Sequence, residues 1–87
     1  MDVQDQAKHF AQRLGRLVRA HREAAGLRLE DLAAAAGVGI RFLHELETGK
    51  PSCQLGRALV VAASLGLDPI GLLEVAKPAS NLATARR

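Results

Sequence analysis

The sequence predicts a compact all-α domain of four to five short helices, and three observations carry that expectation. Apolar residues recur at helical spacing, first through Phe10, Leu14, Leu17 and Val18, then through Leu29, Leu32, Ala33 and Ala36. Glycines at 26, 37, 49 and 66 close these runs, as glycine does where a helix ends through left-handed backbone. Phe10 and Phe42 are the only aromatic residues, so the core has to be built from Leu, Val and Ala, which suits close helix crossings. At 87 residues the chain is one small domain, with a core too modest for a deep catalytic pocket and no sign of an internal repeat.

The first helix is expected from about Gln6 to Ala25, with Phe10, Leu14, Leu17, Val18 and His21 as its buried stripe and Gly26 as its stop. The second runs from Leu29 to Ala36, with Glu30 and Asp31 in its first turn, where carboxylates favour the positive end of the helix dipole. The third covers Ile40 to Thr48 and ends at Gly49, with Pro51 beyond. Leu55 to Leu65 forms a fourth, apolar over so much of its circumference that it is expected at the centre of the domain. Residues 68–76 stay open. Asp68 as N-cap and Pro69 at the first helical position favour a fifth helix, while Ile70 and Leu72 alternating with Pro69 and Gly71 allow a strand. The domain is thus placed at 1–76, followed by a flexible basic tail at 77–87, KPASNLATARR.

Charge and chemistry narrow the function. A formal charge of +3 and a pI near 9.8 suit a polyanionic partner. A lone cysteine, Cys53, excludes an intrachain disulfide and a zinc cluster, and no neighbouring cation pattern marks it as a tuned thiolate. His9, His21 and His44 do not form a metal set, so no metal or cofactor is expected. No Ser–His–Asp spacing, phosphate-cradling glycine loop or paired carboxylates can be recognised, and no catalytic residue is assigned. No apolar run approaches membrane length and the N-terminus lacks a hydrophobic signal core, so a soluble cytoplasmic protein is expected.

The stretch Leu29–Lys50 is the most informative. Gly37 lets the chain leave the second helix, and Ala33 is small where the second and third helices should cross. On the third helix Leu43, Leu46 and Glu47 share one side, and Ile40, Arg41, His44, Glu45 and Thr48 share the other. Two short helices, a tight turn and a charged outer face make a helix-turn-helix, the scaffold that holds its second helix out for the major groove of DNA.

Residues 26–50, GLRLEDLAAAAGVGIRFLHELETGK, resemble the lambda-repressor/Cro-like (XRE-type) helix-turn-helix family, whose typical pattern is G-L-T-Q-x-x-L-A, then G-V-S, then L-x-x-x-E-x-G-K. Residues 55–73, LGRALVVAASLGLDPIGLL, look like its last two helices, so the resemblance spans Leu14 to Leu73. The string RFLHELETGKPS followed by LGLD is similar to antitoxins of the HipB type, which repress their own operon and bind a HipA-type kinase toxin. The resemblance implies a lambda-repressor-like DNA-binding domain that represses transcription on operator DNA, with a protein toxin of the kinase type as second partner. A phage or restriction-system controller is the alternative within DNA binding, and a helical adaptor that binds protein the alternative outside it. A homodimer follows from energetics, because one recognition helix makes too few contacts for an operator and two related by a two-fold axis double the readout.

The family's roles fall on matching positions. The recognition helix starts at Gly39 and offers Ile40, Arg41, His44 and Glu45 to the groove. Arg41 is the base reader, since its planar fork can grip guanine O6 and N7 together. Ile40 packs on a thymine methyl, His44 reaches a base or a phosphate, and Glu45 discriminates against wrong bases or pairs with Arg41. Thr48, Lys50 and backbone amides near Gly49 hold phosphates, as does Arg28 at the start of the second helix. Arg22 and Glu47 match the family's internal ion pair between the first helix and the end of the third. Arg13, Arg16, Arg19 and Arg22 recur every third residue, as a solvated face, extra phosphate contacts or a surface for an acidic protein. Phe42 is expected at the edge of the core. Two positions depart from the pattern: Arg28-Leu29 replaces Thr-Gln and removes the capping hydroxyl, and Gly39 replaces the usual Ser at a cost of about a few tenths of a kcal/mol.

Overall fold

A computed structural model describes residues 2–68, which form four helices in the order α1 (Val3–Ala24), α2 (Leu29–Ala36), α3 (Ile40–Glu47) and α4 (Leu55–Ser64), with no strand among the described residues. Beyond Asp68, the expected element at 68–76 and the tail at 77–87 lie outside the described residues.

Each helix ends in the same way. The amide of the closing glycine bonds back three residues and the next amide bonds back five, as in Gly26 to Glu23 with Leu27 to Arg22, and Gly49 to Leu46 with Lys50 to Glu45. Gly37 repeats the pattern at φ +72°, so the chain reverses within three residues and α3 starts at Ile40. α1 begins earlier than its apolar pattern implies. Asp2 caps it, its Oδ1 accepting the Asp5 amide at 2.8 Å, so three polar-flanked residues join before Gln6.

The core takes one fully buried side chain from each helix: Val18, Leu32, Leu43 and Val61. Ala33, Leu46, Ala58 and Ala62 fill the space between them. α2 packs on both α3 and α4, and α1 packs on α3. The central elements are therefore α2 and α3, each packed on two other helices, and not α4. α4 is not buried all round, since Leu55 and Val60 are exposed on its outer side.

The stripe expected on α1 is also displaced. Phe10 is 64% exposed, Leu17 is 40% exposed, and His21 is exposed with Nδ1 3.0 Å from the Leu17 carbonyl oxygen. The reason is geometric. Val3, Phe10 and Leu17 lie seven residues apart on one line of the helix, and at 3.6 residues per turn that line runs roughly 100° around from the buried one through Gly15, Val18 and Arg22. Phe10 lines a shallow apolar cleft of about 220 Å³ with Leu14, Leu46, Pro51, Cys53 and Leu55.

α1 and α3 meet backbone to backbone. A β-carbon on Gly15 would strike the Leu46 carbonyl oxygen and lie 2.7 Å from that of Glu47. Gly49, at φ +83°, sits as close to α1, since a β-carbon there would fall 2.8 Å from Gln12 Cα. Gly56 of α4 has nothing within 4 Å. One substitution should therefore have opposite effects at two sites. Gly15→Ala should lower stability in urea by about 1–3 kcal/mol as α1 is forced off α3. Gly56→Ala should raise it by up to about 1 kcal/mol through reduced chain entropy. Equal shifts for both variants would show that the α1–α3 contact is not tight.

Candidate nucleic-acid interface

α3 is held by its inner side and bare on its outer side. Leu43 and Leu46 are buried in the core, and Phe42 and Glu47 are half-buried beside them. Ile40, Arg41, His44 and Thr48 are exposed on the opposite face, and the Arg41 side chain is 92% exposed. Gly39 caps the helix with extended backbone at φ −71° and ψ 150° and no side-chain hydrogen bond. Gly39 therefore leaves the first-turn amides of α3 without a side-chain cap.

The end of α3 is fastened by Arg22 and Glu47. Arg22 Nε donates to Glu47 Oε2 at 2.7 Å and Nη2 donates to Oε1 at 3.0 Å, a two-pronged contact with the side chains only 12% and 6% exposed. Arg22 Nη1 donates to the Leu27 carbonyl at 2.8 Å, so the same guanidinium also fixes the α1–α2 turn. The Glu47 hydrogen bond raises the Arg22 pKa further above its ordinary value, outweighing the opposing effect of burial.

The cations assigned to the interface are partnered within the chain. Glu45 Oε2 accepts from Lys50 Nζ at 3.0 Å and lies 3.6 Å from Arg41 Nε, with the Glu45 side chain 27% exposed. The Lys50 hydrogen bond, foremost among several causes, holds the Glu45 carboxyl below its usual pKa. At the start of α2, Arg28 cannot cap, but Asp31 reaches back and accepts the Arg28 amide at 3.0 Å and its Nε at 3.2 Å. These contacts hold Asp31 below its usual pKa, led by the guanidinium. Both carboxylates stay ionised to lower pH than in the unfolded chain, so what these pairs add is present near neutrality and is lost as pH falls through the lowered values.

The loop after α3 is equally engaged. Thr48 Oγ1 lies 2.9 Å from the His44 carbonyl oxygen and 3.1 Å from that of Glu45, so its proton is directed back into the helix. The amides of Gly49, Lys50 and Cys53 bond to Leu46, Glu45 and Lys50 carbonyls. Ser52 and Gln54 carry the amides of this loop with no backbone acceptor among the described residues. Burial, more than any other cause, pushes the Cys53 thiol above its ordinary pKa.

Residues 28–50 hold three cations, Arg28, Arg41 and Lys50, against four carboxylates, Glu30, Asp31, Glu45 and Glu47. The basic excess lies elsewhere. Lys8, Arg13 and Arg16 on the outside of α1, and Arg57 on α4, are exposed and have no ion-pair partner among the described residues. Arg19 pairs with Glu23 at 3.2 Å.

Three features escape a reading of spacing alone: Gly15 under the Leu46 and Glu47 carbonyls, the Leu27 carbonyl bound by Arg22, and Lys50 on Glu45. The first had a signal, a glycine in the middle of a helical stripe, where only packing justifies its cost. Lys50 and Glu45 are five apart, a spacing that becomes a contact only when Gly49 turns the chain back.

A family profile describing the helix-turn-helix domain matches residues 13–74. The chain is 49% identical over 53 residues to a protein of Sinorhizobium fredii described as the uncharacterized HTH-type transcriptional regulator y4mF, a match covering 61% of this chain and 70% of that one. No solved structure gives a significant match.

Removing one side of the buried pair should be costly. Glu47→Ala should destabilise the domain by about 3 kcal/mol in urea unfolding, because Arg22 is left charged and enclosed. Arg22→Ala should cost a similar amount, and the double variant clearly less than the sum. Additive losses would mean that the two side chains act independently.

Proposed function

The chain belongs to the lambda-repressor/Cro-like helix-turn-helix family, and on that premise we propose that it is a DNA-binding regulator of transcription, a repressor that lays α3 in the major groove as a homodimer. The observation that carries this reading is the outer face of α3. Ile40, Arg41 and His44 are exposed on a helix whose other side is locked into the core, so a base reader there needs no rearrangement of the fold. Arg41 grips a guanine, Ile40 and His44 contact neighbouring bases, and Lys50 and Arg28 meet phosphates around the groove, joined by Thr48 once its hydroxyl turns from the His44 carbonyl. Two such helices, related by a two-fold axis, read half-sites about one helical turn apart.

The narrower reading is an antitoxin that represses its own operon and binds a kinase-type protein toxin. It draws on the likeness of RFLHELETGKPS to HipB-type antitoxins and on the apolar cleft beside Phe10, which takes from α3 only the inward-facing Leu46 and none of its outer face. The same cleft favours the second reading, a protein-binding adaptor without DNA.

Two variants separate readout from anchoring. On duplexes enriched from a random library, Arg41→Ala should lose about 1–3 kcal/mol of discrimination at a single base pair and little non-specific affinity. Lys50→Ala should weaken all sequences alike and reduce the log–log salt slope by about one. A library that yields no enriched duplex, or a salt slope near zero, would sink the DNA reading in favour of the adaptor.

A further inference from the structure

Glu45 is the acid on which both outer cations of α3 and its loop converge, Lys50 Nζ at 3.0 Å and Arg41 Nε at 3.6 Å. The Lys50 amide also bonds to the Glu45 carbonyl at 3.0 Å, so one residue holds Lys50 by backbone and side chain together. We propose that Glu45 is a positioning residue that sets sequence discrimination, aiming Arg41 and Lys50 while penalising contact with any phosphate that is not in register. This inference rests on the DNA-binding reading above.

The geometry separates the two effects. The Glu45 carboxylate lies 3.6 Å from Arg41 Nε, a charge contact longer than a hydrogen bond, which leaves Nη1 and Nη2 to address guanine O6 and N7. The attraction favours rotamers of the exposed Arg41 side chain that turn Nε toward Glu45, so less rotamer freedom is lost on contact. Lys50 has three donors and gives one to Glu45, which leaves two for a phosphate. In a non-specific complex the same carboxylate works against binding. It occupies donors that any phosphate would otherwise attract and adds a negative charge beside a polyanion. The repulsion is common to all sequences, whereas the aiming helps only where a guanine waits. The ratio of specific to non-specific affinity therefore rises at the expense of total affinity.

Two substitutions at one position divide these roles. Glu45→Gln removes the charge and keeps an acceptor for Lys50 or Arg41, and Glu45→Ala removes both. Binding is measured by fluorescence anisotropy, on a duplex enriched from a random library and on an unrelated duplex of equal length. Glu45→Gln should tighten the unrelated duplex by about threefold to fivefold, the range an exposed ion pair supplies, and steepen its salt dependence. Glu45→Ala should in addition lose about threefold to fivefold discrimination at the base pair read by Arg41, and that loss should vanish in an Arg41→Ala background. Thermal unfolding of both variants should fall only slightly below the parent, by what a surface ion pair adds, because the group lies outside the core. Unchanged affinity ratios in both variants would overturn the proposal. So would lost discrimination at a base pair that Arg41→Ala leaves untouched, since Glu45 would then be a base contact itself. Failure to enrich any duplex would remove the DNA reading and this inference with it, an outcome distinct from both.

Discussion

The Arg22 guanidinium fastens three pieces of chain at once: its own helix α1, the Leu27 carbonyl of the α1–α2 turn, and the Glu47 carboxylate at the end of α3. Nearly enclosed charges are tolerable only when their hydrogen-bonding groups are matched, and here both Glu47 oxygens are met by nitrogens of one planar fork. The two helices of the helix-turn-helix are short, eight residues each, and too short to hold their shape alone. Their orientation comes from what grips their ends. Arg22 grips the entry to α2 and the exit of α3 together, so the angle between them is set from outside the motif.

Backbone contact completes that constraint. Gly15 lets the Leu46 and Glu47 carbonyls lie directly on α1, and Gly49 lets the following loop lie on Gln12. With no side chain between them, α1 and α3 have a single depth of approach. The ion pair chooses which residues meet, and the glycines choose how closely. The outer face of α3 inherits both choices, because Leu43 and Leu46 on its inner side allow it no rotation.

Much of this was legible from residue order. The limits of α2, the glycine at each helix end and the small Ala33 at a crossing follow from local chemistry, which the surrounding structure does not contradict. α1 was read less well. Its apolar residues satisfy two nearby periods, and only packing against α3 decides that Gly15, Val18 and Arg22 face inward while Phe10 and Leu17 turn aside. A sequence pattern shows which residues are apolar, but not where the neighbouring helix lies. The outer face of α3 was readable because helical spacing defines it. Its ion pairs were only partly so: Arg41 and Glu45 are helix neighbours, but Lys50 joins them through a turn, and Asp31 rescues a helix start whose usual cap is missing. The placement of charge was hidden for the same reason. A basic total says nothing about cations that are already matched by acids on the face in question.

The bareness of the outer α3 face has a consequence for how such a domain diversifies. The Ile40, Arg41 and His44 side chains take no part in the core, whereas Leu43, Leu46 and Glu47 on the same helix are held by the core and by Arg22. Inheritance therefore acts on two interleaved alphabets written along one helix. Letters on the inner side can change only in concert with three other helices. Letters on the outer side can be exchanged singly, so lineages that share this scaffold can part company in what they recognise without ever passing through an unfolded ancestor.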